Sequence, residues 1–130
     1  MGLIERRKLK ELQDSTFPCR IKEIEEICGE AIPYDVDWDS LADDPEAIKV
    51  IDNISCQRLN MALRVICQND SGKRAVREGL KVVRLKNAKS PAERKISFNA
   101  GVLEMHVPYA EGASGMFPDS DIRQLLEICL

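Results

Sequence analysis

The sequence predicts an α+β domain: a mainly antiparallel sheet of about four strands, covered on one face by helices, with elements in the order ααβααβββα. Three observations carry this expectation. Residues 32–38 alternate strictly between apolar and polar, residues 95–107 form two short alternating runs around Ala100 and Gly101, and apolar residues elsewhere recur at helical spacing. With 130 residues, 44% of them hydrophobic, the chain can remove roughly two thirds of its unfolded surface from water. It is therefore read as one domain over residues 1–130.

Residues 3–13 read as a charged helix whose main apolar contacts are Leu9 and Leu12. A second helix runs from about Phe17 to Cys28, with Ser15 and Thr16 as caps, Pro18 in the first turn and Gly29 as the stop. In the ribbon that follows, Ile32, Tyr34, Val36 and Trp38 face inward while Pro33, Asp35, Asp37 and Asp39 face outward. Pro33, which cannot donate to a ladder, places this strand at an edge. Asp43, Asp44 and Pro45 then start a long helix reaching about Gln68. Its polar residues, Lys49, Asn53, Gln57, Asn60, Arg64 and Gln68, fall on one narrow stripe, so this helix is expected to be central and packed on more than one side.

Asn69 to Gly72 break the helix, and a short one from about Lys73 to Glu78 follows. Strands are expected at about 81–86, 95–99 and 102–107, the last two forming a hairpin. A loop from Pro108 to Pro118 leads to a final helix, 119–129, capped by Asp119 or Ser120.

The net charge of −3 conceals two opposed segments. Residues 31–47 hold six acids and no base; residues 73–95 hold nine bases and two acids. A basic segment of this density can attract an anion, but the acids of the same chain offer it a partner inside the fold or across a dimer. The expectation is that the 32–38 and 81–86 ribbons lie side by side and neutralise each other.

Cys19, Cys28, Cys56, Cys67 and Cys129 are odd in number and lack C-x-x-C spacing, which favours reduced thiols and a cytoplasmic setting. The N-terminal stretch is too poor in apolar residues for a secretory signal, and the lipidation patterns fail at Arg6 and Cys129. No apolar run approaches the ~18 residues of a membrane span, so no membrane partner is expected.

Four groups of residues are candidate sites. Lys73, Arg74, Arg77, Arg84 and Lys86 could hold an anion, although the aromatic residues that stack nucleic-acid bases are not interleaved with them. Asn53, Gln57, Asn60 and Arg64 could line a cleft between the 45–68 helix and the sheet, joined by His106. Met116 and Phe117, in a loop of eleven residues, either plug the core or meet a partner. His106 is the only histidine and stands beside Glu104, away from the apolar settings of Cys56 and Cys67, so a thiol–imidazole pair is not expected.

No metal cluster or cofactor loop is legible. The sequence points to a non-catalytic cytoplasmic interaction protein, a homodimer engaging another protein. A ligand-binding or enzymatic domain with the cleft just named, and an anion or nucleic-acid binder through 73–95, are the alternatives.

Overall fold

In a computed structural model, which describes residues 2–130, α1 (Leu3–Glu11) and α2 (Phe17–Cys28) form one continuous helical run through a π turn at Leu12–Thr16. Ser15 and Thr16 lie inside this run and cap nothing. Pro18 has no N–H to return to the preceding turn, and the wider π turn just before it accommodates the missing bond. The expected alternation of the next ribbon is kept in burial, with Ile32 buried and Asp35, Asp37 and Asp39 exposed. Only Tyr34–Val36 pairs as strand β1, because Asp37 accepts a hydrogen bond from the Ser40 amide at 3.2 Å and turns Trp38–Leu41 into a 3₁₀ helix.

The long helix comprises α3 (Pro45–Ile51), a second π turn (Asp52–Gln57) and α4 (Arg58–Ile66). Asp44 caps its start, accepting from the Ala47 amide at 3.1 Å. It is central as expected: α1 and α2 pack along it, and α6 and the 109–115 segment pack elsewhere around it. The next helix, α5 (Asp70–Gly79), is longer than the sequence suggests because the Asn69 side chain caps it, accepting from the Gly72 amide at 2.8 Å. Position 72 must be glycine: a Cβ there would lie 1.7 Å from the Ile66 carbonyl oxygen.

The sheet departs from expectation. Strands β2 (Val82–Asn87), β3 (Lys95–Asn99) and β4 (Val102–Val107) join β1 in the order β1-β2-β4-β3, and both β1/β2 and β2/β4 pair in parallel. Only the β3/β4 hairpin is antiparallel. The sheet is thus mixed and mostly parallel. Burial gives the reason. Strand β4 carries the fully buried Leu103, Met105 and Val107 and takes an interior place, whereas β3, with Lys95 and Asn99 exposed, is left at the edge. The short 88–94 link brings the chain back antiparallel to β2 and the 100–101 turn reverses it again, so β4 runs parallel to β2. The helical crossover between β1 and β2 permits the parallel pairing that β1 makes.

The segment after β4 is a 3₁₀ helix, Tyr109–Gly115, kinked at Gly112 and packed under the long helix. Tyr109 is fully buried and its hydroxyl shares a hydrogen bond of 2.6 Å with Ser55 of the second π turn. The final helix, α6 (Asp119–Cys129), begins after Pro118 without a side-chain cap, correcting the expectation for Asp119 and Ser120. Its first turn nonetheless carries Asp119 and Asp121, which complement the helix dipole. Side chains from the helices, strands and the 109–115 segment join in one core cluster.

The hairpin turn places Ala100 (φ 52°) and Gly101 (φ 82°) in the left-handed region. Glycine is required at 101, where a Cβ would come within 2.9 Å of the Lys81 side chain. Alanine at 100 is strained by about 1 kcal/mol. Ala100→Asn should therefore stabilise the protein by about 0.5–1 kcal/mol, measured as a raised urea midpoint with an unchanged slope.

Candidate functional site

Strands show successive side chains on opposite faces, so the residues that send Val83, Leu85, Leu103 and Met105 into the core turn their neighbours outward. The register assembles those neighbours into three rows across the sheet, one of them the half-buried Val82 and Val102 with Asn99. Of the other two, the first reads Asp35, Arg84, Glu104 and Ser97; the second carries Lys86, His106 and Lys95, with Asp37 directly beyond the end of β1. Asp35, Asp37, Arg84, Lys86 and Lys95 are exposed, and Glu104, Ser97 and His106 are half-buried, so this face stands open to solvent.

Along the first of these charge alternates over three strands, acidic at Asp35, basic at Arg84 and acidic at Glu104, and ends on the neutral Ser97; the second runs from acidic Asp37 through basic Lys86 and His106 to basic Lys95. The Arg84 Nε donates to Asp35 Oδ2 at 2.9 Å. His106 Nε2 lies 3.6 Å from Glu104 Oε2. A shallow depression lies among Asp35, Asp37, Arg84, Lys86, Glu104 and His106. The acidic and basic ribbons are neighbours, as the charge pattern indicated. Because the Arg84–Asp35 pair is exposed, it contributes at most about 1 kcal/mol and serves mainly to fix register.

Of the other bases of the 73–95 segment, Lys95 shares the sheet face with Arg84 and Lys86, and the rest lie elsewhere. Arg74 pairs with Glu78 on α5 at 3.3 Å, and Lys81 donates to the Arg77 carbonyl at 3.0 Å. Lys89 donates to the Ser40 carbonyl at 2.8 Å. Arg94 donates to the Gly115 and Met116 carbonyls at 3.0 and 2.7 Å and stacks its guanidinium 3.9 Å from the centre of the Phe117 ring. Lys73, Arg74 and Arg77 therefore belong to α5, and Arg84 and Lys86 to the sheet face. The Arg94 clamp also settles the loop: Phe117 is buried and Met116 half-buried against the core.

The stripe on the long helix has a different neighbour from the one expected. Asn53 donates to Gln57 at 2.6 Å near the surface, but Asn60 is wholly buried against α2, where it donates to Glu23 at 2.8 Å and to the Arg20 carbonyl at 3.4 Å. Arg64 lies 3.9 Å from Glu23. Arg20 holds Asp52 through two bonds of 2.8 and 2.9 Å and Glu23 through one of 3.0 Å. These residues do not meet His106 in a cleft: Asn60 and Arg64 reach α2, and Asn53 and Gln57 pair with each other near the surface. Burial pulls the Glu23 carboxyl upward, but hydrogen bonds from Asn60 and Arg20 and the charges of Arg20 and Arg64 hold it below its ordinary value of 4.5.

Sequence reasoning missed this polar network and a second arrangement, the approach of the Cys28 and Cys67 sulfurs to 3.2 Å. Each of these cysteines stands at the C-terminal end of its helix, but residues 39 apart carry no sign in the sequence that those ends meet. The chain matches no protein-family model, no curated protein and no solved structure. Among the described residues, no helix is long and apolar enough to cross a membrane.

Asn60→Leu would leave the Glu23 carboxylate short of a donor, and a loss of about 1–3 kcal/mol is expected at neutral pH. A carboxyl held below its unfolded value stabilises the fold above that value and loses this contribution as pH falls through the folded one. The variant and the unaltered protein should therefore converge in stability on acidification below about 4.5, as measured by denaturant titrations across pH.

Proposed function

We propose that the protein is a non-catalytic interaction module that self-associates through the open face of its sheet. The observation that carries this reading is the juxtaposition of acids and bases on an open sheet face, with Asp35, Arg84 and Glu104 alternating in one row and Asp37 and Lys95 at opposite ends of another. Two such faces can be brought together by a twofold axis parallel to the strands and passing between β2 and β4. That operation lays β2 over β4 of the second copy and β1 over β3. Arg84 then meets Glu104, and Asp37 meets Lys95, while each residue keeps its row. A twofold across the strands would instead lay Asp35 and Asp37 on their own copies, which like charge opposes.

His106 supports a binding role because it stands on this same face beside Glu104, whereas Cys56 and Cys67 are buried. No thiol–imidazole pair is assembled by that arrangement. Partners already held by Arg74, Lys81, Arg84, Lys89 and Arg94 disfavour the anion-binding alternative. A cytoplasmic setting, and a further protein engaged by the dimer, belong to the same proposal, the first supported by five free cysteines.

Light scattering and sedimentation over a range of concentrations provide the test. The unaltered protein should dimerise, more weakly as salt is raised. Arg84→Glu should raise the dimer dissociation constant at least tenfold, about 1.4 kcal/mol. The double variant Arg84→Glu with Glu104→Arg should recover a large part of that loss, since it exchanges the paired charges. A monomer at every concentration, or a dimer indifferent to Arg84→Glu, would overturn the assignment.

A further inference from the structure

The Cys28 and Cys67 thiols meet where α2 and α4 end. Cys28 is the last residue of α2, followed by Gly29 in a left-handed conformation, and Cys67 closes α4 ahead of the Asn69 cap of α5. Their sulfurs are 3.2 Å apart, within hydrogen-bond reach, and must approach by only about 1 Å more to form a disulfide. Cys28 is fully buried; Cys67 retains 5% exposure. Both residues are buried, which shields the pair from bulky reagents, and Cys67 is the less enclosed of the two.

The surroundings distinguish the two sulfurs. Burial pushes both thiols up, and for Cys28 the neighbouring Cys67 adds to the rise. For Cys67 the hydrogen bond with Cys28 acts in the opposite direction, and the positive charges of Lys73 and Arg77 on α5 favour the thiolate at both sulfurs. Burial outweighs the lowering effects and holds both thiols above their ordinary value; of the two, Cys67 is the less buried residue and the one whose partner favours the thiolate.

We propose that Cys28 and Cys67 are an oxidation site at which a small hydroperoxide, hydrogen peroxide being the simplest, closes an intramolecular disulfide with Cys67 as the attacking thiol and Cys28 as the resolving one. The Cys67 thiolate attacks one peroxide oxygen; the O–O bond breaks, the departing hydroxide takes a proton and leaves as water, and Cys67 becomes a sulfenic acid. The Cys28 sulfur then attacks the Cys67 sulfur, the S–O bond breaks, and a second water leaves with the Cys28 proton. Two thiols and one peroxide give one disulfide and two waters, sulfur being oxidised and oxygen reduced. The bond ties the end of α2 to the end of α4, and a dithiol reverses it.

The exposed Cys19 and Cys129 are replaced by serine so that Cys28, Cys56 and Cys67 are the remaining thiols of the full chain. After hydrogen peroxide treatment and quenching, thiols are counted under denaturing conditions and peptides are mapped without reductant. The expected result is a loss of two of the three thiols, one Cys28–Cys67 cross-linked peptide, a single-chain mass under denaturing conditions without reductant, a raised thermal midpoint and full reversal by dithiothreitol. In that background, Cys28→Ala should accumulate a sulfenic acid at Cys67 that a dimedone probe captures. Cys67→Ala should give several-fold less labelling of Cys28. Retention of all three thiols, a cross-link that uses Cys56, or faster capture at Cys28 than at Cys67 would overturn the assignment. The readouts are intramolecular and do not depend on whether the sheet faces associate.

Discussion

Apolar side chains cover most of the circumference of the helix running from Pro45 to Ile66, and this fixes what the remainder of the chain must do. Ile48, Ile51, Ile54, Leu59 and Leu63 are all buried, each removing about 1.5–3 kcal/mol worth of apolar surface from water. One sheet cannot enclose a helix on several sides. The chain therefore surrounds it with α1 and α2, with α6, and with the short 109–115 helix. Where that enclosure crosses polar residues, their partners are supplied from the enclosing element: Glu23 and the Arg20 carbonyl for Asn60, Arg20 for Asp52, and Tyr109 for Ser55. Both π turns lie in these continuous runs, and the second contributes Asp52 and Ser55 to such contacts.

The concentration of helices around one another has a consequence for the sheet. Strands β2 and β4 need cover mainly on the side of Val83, Leu85, Leu103 and Met105, since their other side is polar apart from the Val82 and Val102 pair. The molecule thus keeps an open surface whose pattern is set by strand order. The parallel insertion of β4 both buries the more apolar strand and separates the bases.

Basic residues illustrate why a count of charge along a sequence is a poor guide to a field in space. Nine bases within 73–95 suggest a cationic surface, but their side chains leave different elements in different directions. Arg84 finds an acid on the adjoining strand, Lys89 and Arg94 satisfy backbone carbonyls of distant loops, and Arg74 closes a helical turn with Glu78. Arg94 holds Phe117 against the core through its guanidinium plane.

The chain's own pattern determined the α+β composition, the hairpin, the central helix, the inward and outward sides of the 32–38 ribbon, and the polar outer side of the sheet. These follow from periodicities of two and about 3.6 residues, which act over a few positions and survive any tertiary arrangement. Strand order and direction, the docking of α2 over Asn60, the burial of Phe117 and the meeting of Cys28 with Cys67 were decided by tertiary structure alone. A stripe reads as wet until a second helix lies on it, and two cysteines 39 residues apart become neighbours only when the helix ends that carry them are packed together. Such proximities depend on how competing faces share a limited interior, which is a property of the whole assembly of elements and of no single stretch of residues.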